Sequence, residues 1–83
     1  METSKVNKQI SLNNLSLGAK CKVNSLIADG AIRRRLLDLG LINGTEIESI
    51  SKSPSGNLVA YSIRGAVIAI RSEDASKIIV ETI

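Results

Sequence analysis

The apolar residues of this chain follow two spacings, strict alternation and a step of three to four, and the points where one replaces the other mark its elements. In the stretch from Ala19 to Leu26 the side chains alternate, with Ala19, Cys21, Val23 and Ser25 on one face and Lys20, Lys22 and Asn24 on the other. This predicts a half-buried strand with a lysine-bearing outer face. The spacing then changes. At about 100° per residue Ile32, Leu36 and Leu39 fall on one stripe of a helix, and Asp29 is placed to cap it by accepting backbone N–H bonds near Ala31 and Ile32. Gly40 stands one residue past the stripe, where a left-handed C-terminal cap excludes a Cβ. Leu41 is then positioned to fold back on Leu36, so the helix ends at Leu39.

Beyond the helix, Asn43-Gly44 supplies a tight turn into Thr45–Lys52, a strand whose Ile47 and Ile50 are out of alternating register and require a bend or bulge near Ser49. Pro54-Ser55-Gly56 makes the next turn and Asn57–Ile63 the next strand. Arg64-Gly65 is a two-residue hairpin connection into Ala66–Ile70, whose continuous apolar character predicts burial on both faces. Ser72 caps a single helical turn with Glu73 and Asp74 in its first positions, and Lys77–Ile83 closes as the last strand. Upstream, Ile10, Leu12, Leu15 and Leu17 make a compact apolar arm around Asn13-Asn14, while Met1–Gln9 is polar and reads as a flexible lead-in. The expectation is a mainly β domain over residues 10–83: a small bent barrel of about five short strands, one α-helix after the first and a helical turn before the last.

Composition narrows the chemistry. With 83 residues the chain buries only about 60 to 65% of its unfolded surface, in a core built from isoleucine, leucine and valine, since Tyr61 is its one aromatic residue. The lone Cys21 excludes an internal disulfide and, without a secretory pattern, points to the reducing cytoplasm. No apolar stretch approaches the roughly 18 residues of a membrane span. Catalysis lacks its parts, because there is no histidine, no Cys-His pair and no serine elbow, and Glu46 and Glu48 read as solvated strand carboxylates. One thiol without imidazoles completes no coordination sphere, so neither a metal nor a cofactor is expected, and Cys21 reads as a small buried hydrophobe. Gly40 and Gly44 follow a helix instead of opening one, which makes them turn glycines and not a phosphate loop. A net charge of +3, interrupted by acids, does not impose a nucleic-acid partner.

The concentrated charge is Arg33-Arg34-Arg35, on the helix itself. Arg34 and Asp38 point away from the apolar stripe, Arg35 lies at its edge, and Arg33 and Leu37 share a flank one turn apart. Arg35 is placed to brace the fold through its stem and a carbonyl or carboxylate. Leu37 has two readings. Either it packs beneath the arm Ile10–Leu17, with Arg33 and Arg34 solvated and Arg34 weakly paired with Asp38, or it is an apolar anchor within a basic rim, docking an acidic partner through Arg33, Arg34 and Leu37.

At these residues the chain resembles the FeoA family, small cytoplasmic accessory proteins of bacterial ferrous iron transport. The likeness runs from Ile10 to Thr82. It is carried by Ser11–Leu26 for an opening Leu-x-x-Leu-x-x-Gly and first strand, by Arg33–Ile47, and by Gly65–Glu81 for the closing hairpin, turn and strand. Within the central piece Arg35, Leu36, Leu39, Gly40, Leu41, Gly44 and Thr45 match the family's Arg-Leu-x-x-Leu-Gly-hydrophobic-x-Pro-Gly-Thr, except that Asn43 stands where proline is usual. The same turn is expected, because Gly44 keeps the position needing a positive φ. The resemblance implies an SH3-like barrel and, as partner, the cytoplasmic GTP-binding domain of a FeoB-like membrane transporter of ferrous iron. Two other readings compete: a regulatory module of metal-dependent control, as in FeoA-like domains fused to metal-dependent repressors, and a nucleic-acid-binding barrel, which requires an affinity falling steeply with salt.

Overall fold

The computed structural model describes residues 8–83. Six strands form one antiparallel sheet: β1 (Gln9–Ser11), β2 (Lys20–Leu26), β3 (Glu46–Lys52), β4 (Leu58–Ile63), β5 (Ala66–Arg71) and β6 (Ile78–Thr82). Their spatial order is β1-β6-β2-β3-β4-β5. Helix α1 (Gly30–Asp38) follows β2 and the single-turn α2 (Ser72–Ala75) precedes β6, as the sequence predicts. The sixth strand is β1. It comes from the expected lead-in and arm, where Gln9, Ile10 and Ser11 pair with Glu81, Val80 and Ile79 before a 3₁₀ turn at Leu12–Asn14. The rest of the expected flexible lead-in, up to residue 7, lies outside the described residues.

Bulges bend the sheet and decide which side chains enter the core. Between β3 and β4 the register slips between Ser49 and Ser51, so Ile50 is the extra residue. The bulge expected near Ser49 is therefore present, but it sends Ile50 outward and turns Ser49 into the core. A second slip, between Val23 and Ser25 on the β6 side, makes Asn24 the extra residue of β2. Cys21 and Val23 are buried as alternation predicts, whereas Ser25 is turned out and Leu26 packs on the core in its place. β5 also departs from expectation. It lies at the sheet edge, so Ala66, Val67 and Ala69 are exposed and Ile70 alone is fully buried.

The core joins Leu12 and Leu15 of the arm to Cys21, Val23, Ile47, Val59, Tyr61, Ile63, Ile78 and Val80 of the sheet and to Leu36 and Leu41 at the end of α1. Tyr61 is buried and its hydroxyl donates to the Leu12 carbonyl at 3.4 Å. Burial pushes the Cys21 thiol up to about 11, from 9.0 when unperturbed. Burial, with help from the nearby thiol, pushes the Tyr61 hydroxyl up from 10.0 to about 12. Both groups hold their proton more tightly folded than unfolded. Their contribution to stability is intact below pH 9.0 and is lost as pH rises through about 11 for the thiol and about 12 for the phenol. Thermal melts in a series of alkaline buffers should show the midpoint falling from about pH 9, with Cys21→Ala removing the earlier part of the fall. A flat profile would contradict this core.

Candidate functional site

Helix α1 presents the clustered arginines, and its two ends are built differently from one another. At the N-terminus Asp29 is the capping residue by position, with extended backbone (φ −134°, ψ 177°), but its carboxylate caps nothing. Gly30 enters the helix with φ +63°, and of Asp29 only the carbonyl engages, accepting from Arg33 N–H at 3.4 Å. Ser72 likewise makes no side-chain cap: it is the first residue of α2, and Arg71 holds the capping position. The C-terminus follows the sequence closely. Gly40 has φ +94°, its N–H donates to the Leu37 carbonyl at 2.9 Å, and Leu41 N–H donates to the Leu36 carbonyl at 3.2 Å. These are the two bonds of a Schellman cap, and its apolar contact pairs Leu36 with Leu41, both buried in the core.

The segment after the cap is pinned to β2. Gly44 N–H donates to the Val23 carbonyl and Val23 N–H to the Thr45 carbonyl, each at 2.8 Å. The Thr45 hydroxyl donates to the Gly40 carbonyl at 2.8 Å, which closes the segment on itself. Thr45 N–H reaches the Ile42 carbonyl at 3.0 Å across a turn in which Gly44 has φ +91°, so the turn forms without proline. Asn43 adds a bond that proline has no group to make, from its amide nitrogen to the Asn24 carbonyl at 2.8 Å.

On this fixed helix the three arginines part company. Arg35 donates to the Asp74 carboxylate of α2 at 2.6 Å and covers it, which makes it the brace expected of it. Arg33 is exposed and reaches back to the Leu26 carbonyl at 3.3 Å. Arg34 is exposed, and among the described residues it makes no ion pair with Asp38. Leu36 is buried, and Ile32 and Leu39 are half-buried against the core, whereas Leu37 is 39% exposed and does not join it. The structure therefore brings Arg33, Arg34 and Leu37 together on the solvent side of α1.

The Arg64-Gly65 turn forms as the sequence predicts, but the contact that its arginine makes is not signalled there. The β4–β5 hairpin closes through Arg64 (φ +53°) and Gly65 (φ +86°), a two-residue turn with both residues left-handed. Its Arg64 side chain lies across Gly40, close enough that a Cβ there would stand 2.9 Å from Cδ. A cation over the last turn of α1 also complements the helix dipole.

The other basic face does not make a comparable patch. Lys20 lies opposite Glu48 and Lys22 opposite Glu46 across β2 and β3, so the strand lysines are interleaved with carboxylates. Among the described residues no three histidine, cysteine, aspartate or glutamate side chains gather where they could hold a metal ion. No described helix is long and apolar enough to cross a membrane.

A model of the FeoA domain family matches residues 10–82. Over 72 residues the chain is 32% identical to the Fe(2+) transport protein A/Fe(2+) transporter FeoB fusion protein of Porphyromonas gingivalis. That match takes in 87% of this chain but only 8% of the fusion protein's length. The solution structure of an FeoA-like protein from Clostridium acetobutylicum is 33% identical and superposes with a TM-score of 0.86, over 94% of this chain and 91% of that one. Stenotrophomonas maltophilia FeoA, an SH3 domain protein crystallised with zinc, is 29% identical with a TM-score of 0.76, over 86% of this chain and 88% of its own. The fold is thus that of the FeoA SH3-like domain. With the family match running from β1 to the end of β6 and through the glycine-capped helix between them, this chain belongs to the FeoA domain family.

Proposed function

We propose that this chain is a non-enzymatic accessory protein of ferrous iron uptake that docks, on the cytoplasmic side of the membrane, onto the GTP-binding part of a FeoB-like transporter. The observation that carries the reading is the Porphyromonas relative, in which a region like this chain and a FeoB transporter are one polypeptide. Covalent linkage supplies a high effective concentration. Docking also needs a surface of the domain itself that recognises the partner.

The flank of α1 suits that task. Leu37 offers an exposed apolar anchor, and Arg33 and Arg34 beside it steer an acidic surface and fix its register. The helix is presented rigidly, because the Leu36–Leu41 cap holds one end and Arg35 ties its middle to Asp74. Any influence on nucleotide turnover then arises from unequal affinity for the transporter's conformational states, since equal affinity shifts no population.

Titrating the chain against the isolated cytoplasmic domain of a FeoB-like transporter from the same cell, with GDP and with a non-hydrolysable GTP analogue, tests the reading. Arg33→Glu should lower the association rate by roughly tenfold at low salt and flatten its dependence on ionic strength. An unchanged rate would move the docking face off α1. An absence of binding in both nucleotide states would remove the proposed partner.

A further inference from the structure

β5 is an unprotected edge. The sheet ends there, and its register with β4 runs without a slip from Ile63–Ala66 to Leu58–Arg71. A two-residue hairpin closes on a hydrogen-bonded pair, so Ala66, Ile68 and Ile70 direct their backbone groups to β4 while Val67, Ala69 and Arg71 direct theirs outward. Among the described residues no other backbone group takes up the outward donors and acceptors of Val67 and Ala69, while the Arg71 carbonyl, at the N-cap of α2, is engaged by that helix and leaves only its N–H free. The opposite edge, β1, is only three residues long. β5 has six residues and carries none of the usual safeguards: no proline, no lysine, no bulge, and no charge before Arg71.

The edge faces a built space. A cleft of 320 Å³ lies between it and α1, lined by Arg35, Leu36 and the C-cap Leu39 on the helix side, by the run 68–71 of the strand and by Leu58 of β4 beside it. Successive side chains of a strand point to opposite faces, so a cleft lined by four consecutive residues wraps the strand edge, and Leu58 shows that it also continues onto the neighbouring strand. Helix and strand are held apart at both ends. Arg35 is bonded to Asp74 just past the end of β5, and Gly40 lies under Arg64 just before its start.

We infer that this edge and cleft form a strand-addition site, in which an extended acidic segment of a partner protein lies along β5 as a seventh strand. Its backbone pairs with Val67, Ala69 and Arg71, alternate apolar side chains enter the cleft over Leu36, Leu39 and Ile68, and its carboxylates meet Arg71 and the exposed part of Arg35. Charge selects this occupant. The cleft's one acid, Asp74, is already covered by Arg35, which leaves the rim cationic. A second copy of the chain matches it less well, since its β5 has no carboxylate and would bring another Arg71 and another net charge of +3. The site is separate from the proposed transporter contact: Arg35 and Leu39 flank Leu36 on one side of the helix, and Arg33 and Leu37 on the other.

The test uses the full ¹⁵N-labelled chain and a synthetic peptide of alternating glutamate and valine, with a lysine-valine peptide as the charge control. Binding of the acidic peptide should slow amide exchange at Val67, Ala69 and Arg71 by at least about tenfold, with no effect of the lysine peptide. Ala69→Pro deletes an outward N–H and leaves the β4 ladder intact, so it should weaken binding at least about tenfold with the spectrum still dispersed. If that variant fails to fold, Arg71→Glu serves instead, and should weaken the acidic peptide and admit the lysine one. Arg33→Glu should leave peptide binding unchanged. The proposal is overturned by no binding of the acidic peptide, by protection elsewhere on the sheet, or by indifference to both β5 variants. Protection of the same three amides that grows with protein concentration, without peptide, would make a second copy the occupant and overturn it too.

Discussion

Replacing Leu36 by alanine is expected to cost about 2 to 5 kcal/mol, while the same change at the adjacent Leu37 should cost well under about 1 kcal/mol. Leu36 is 1% exposed and packs with Leu41, which is 0% exposed, in the apolar contact of the helix cap. Truncating it leaves a hole that α1 has little freedom to close, because the helix is tied to α2 through Arg35 and to the hairpin through Arg64 over Gly40. The loss should therefore fall in the upper part of that range, a large share of the roughly 4 to 12 kcal/mol expected for a domain of this size. Leu37, 39% exposed and off the core, loses little by the same truncation, and alanine is at least as good a helix former. Urea melts of both variants decide the matter. A costly Leu37→Ala would make the flank with Arg33 a structural brace, and a harmless Leu36→Ala would mean that the helix is not anchored through its cap.

What was legible in the sequence is what local chemistry dictates. The Leu36–Gly40–Leu41 cap and the Arg64-Gly65 hairpin each depend on a few neighbouring residues with particular backbone needs, and both form where the pattern places them. The bulge in β3 was also legible, because Ile47 and Ile50 do not fit a single face, although which residue would be pushed out was decided by the pairing of Ser49 with Tyr61. Non-local pairing hid the rest. β1 exists because Ile10 meets Val80 at the far end of the chain, and no periodicity in three residues announces that. Asn24 is bulged by its register with β6, which turns out the Ser25 that alternation placed inside. β5 looks like a central strand because it is apolar throughout, yet the sheet ends at it; the apolar run instead supplies an edge and one wall of a cleft.

The candidate contact surface divides the same way. That Arg35 would brace the fold was readable from its place at the edge of the helix stripe, and its partner Asp74, in α2, was not. Helical spacing alone groups Arg33, Arg34 and Leu37, and all three are exposed on the folded chain. The cleft beside β5 could not be anticipated, since it exists only when Ile68 and Leu39, far apart in the sequence, come to face each other.

Gly40→Ala should produce the second large loss, about 1 to 3 kcal/mol, in two separable parts. The first is local: φ at Gly40 is +94°, and placing a Cβ in that left-handed region costs about 1 to 2 kcal/mol. The second is tertiary. The new Cβ would stand 2.9 Å from Arg64 Cδ, and because that atom belongs to a flexible side chain, the arginine moves off the helix end and the backbone stays in place. Its favourable position over the last carbonyls of α1 is then lost. Arg64→Ala separates the two parts, since alanine faces the same positive φ as arginine at the hairpin but removes the overlap. In a double-mutant cycle Gly40→Ala should cost less in the Arg64→Ala background than in the parent, with a coupling of about 0.5 to 1 kcal/mol. Full additivity in denaturant melts would mean that Arg64 does not rest on the helix end in solution. A Gly40→Ala chain as stable as the parent would contradict the cap itself, and with it the rigid presentation of Arg33, Arg34 and Leu37 on which the proposed docking depends.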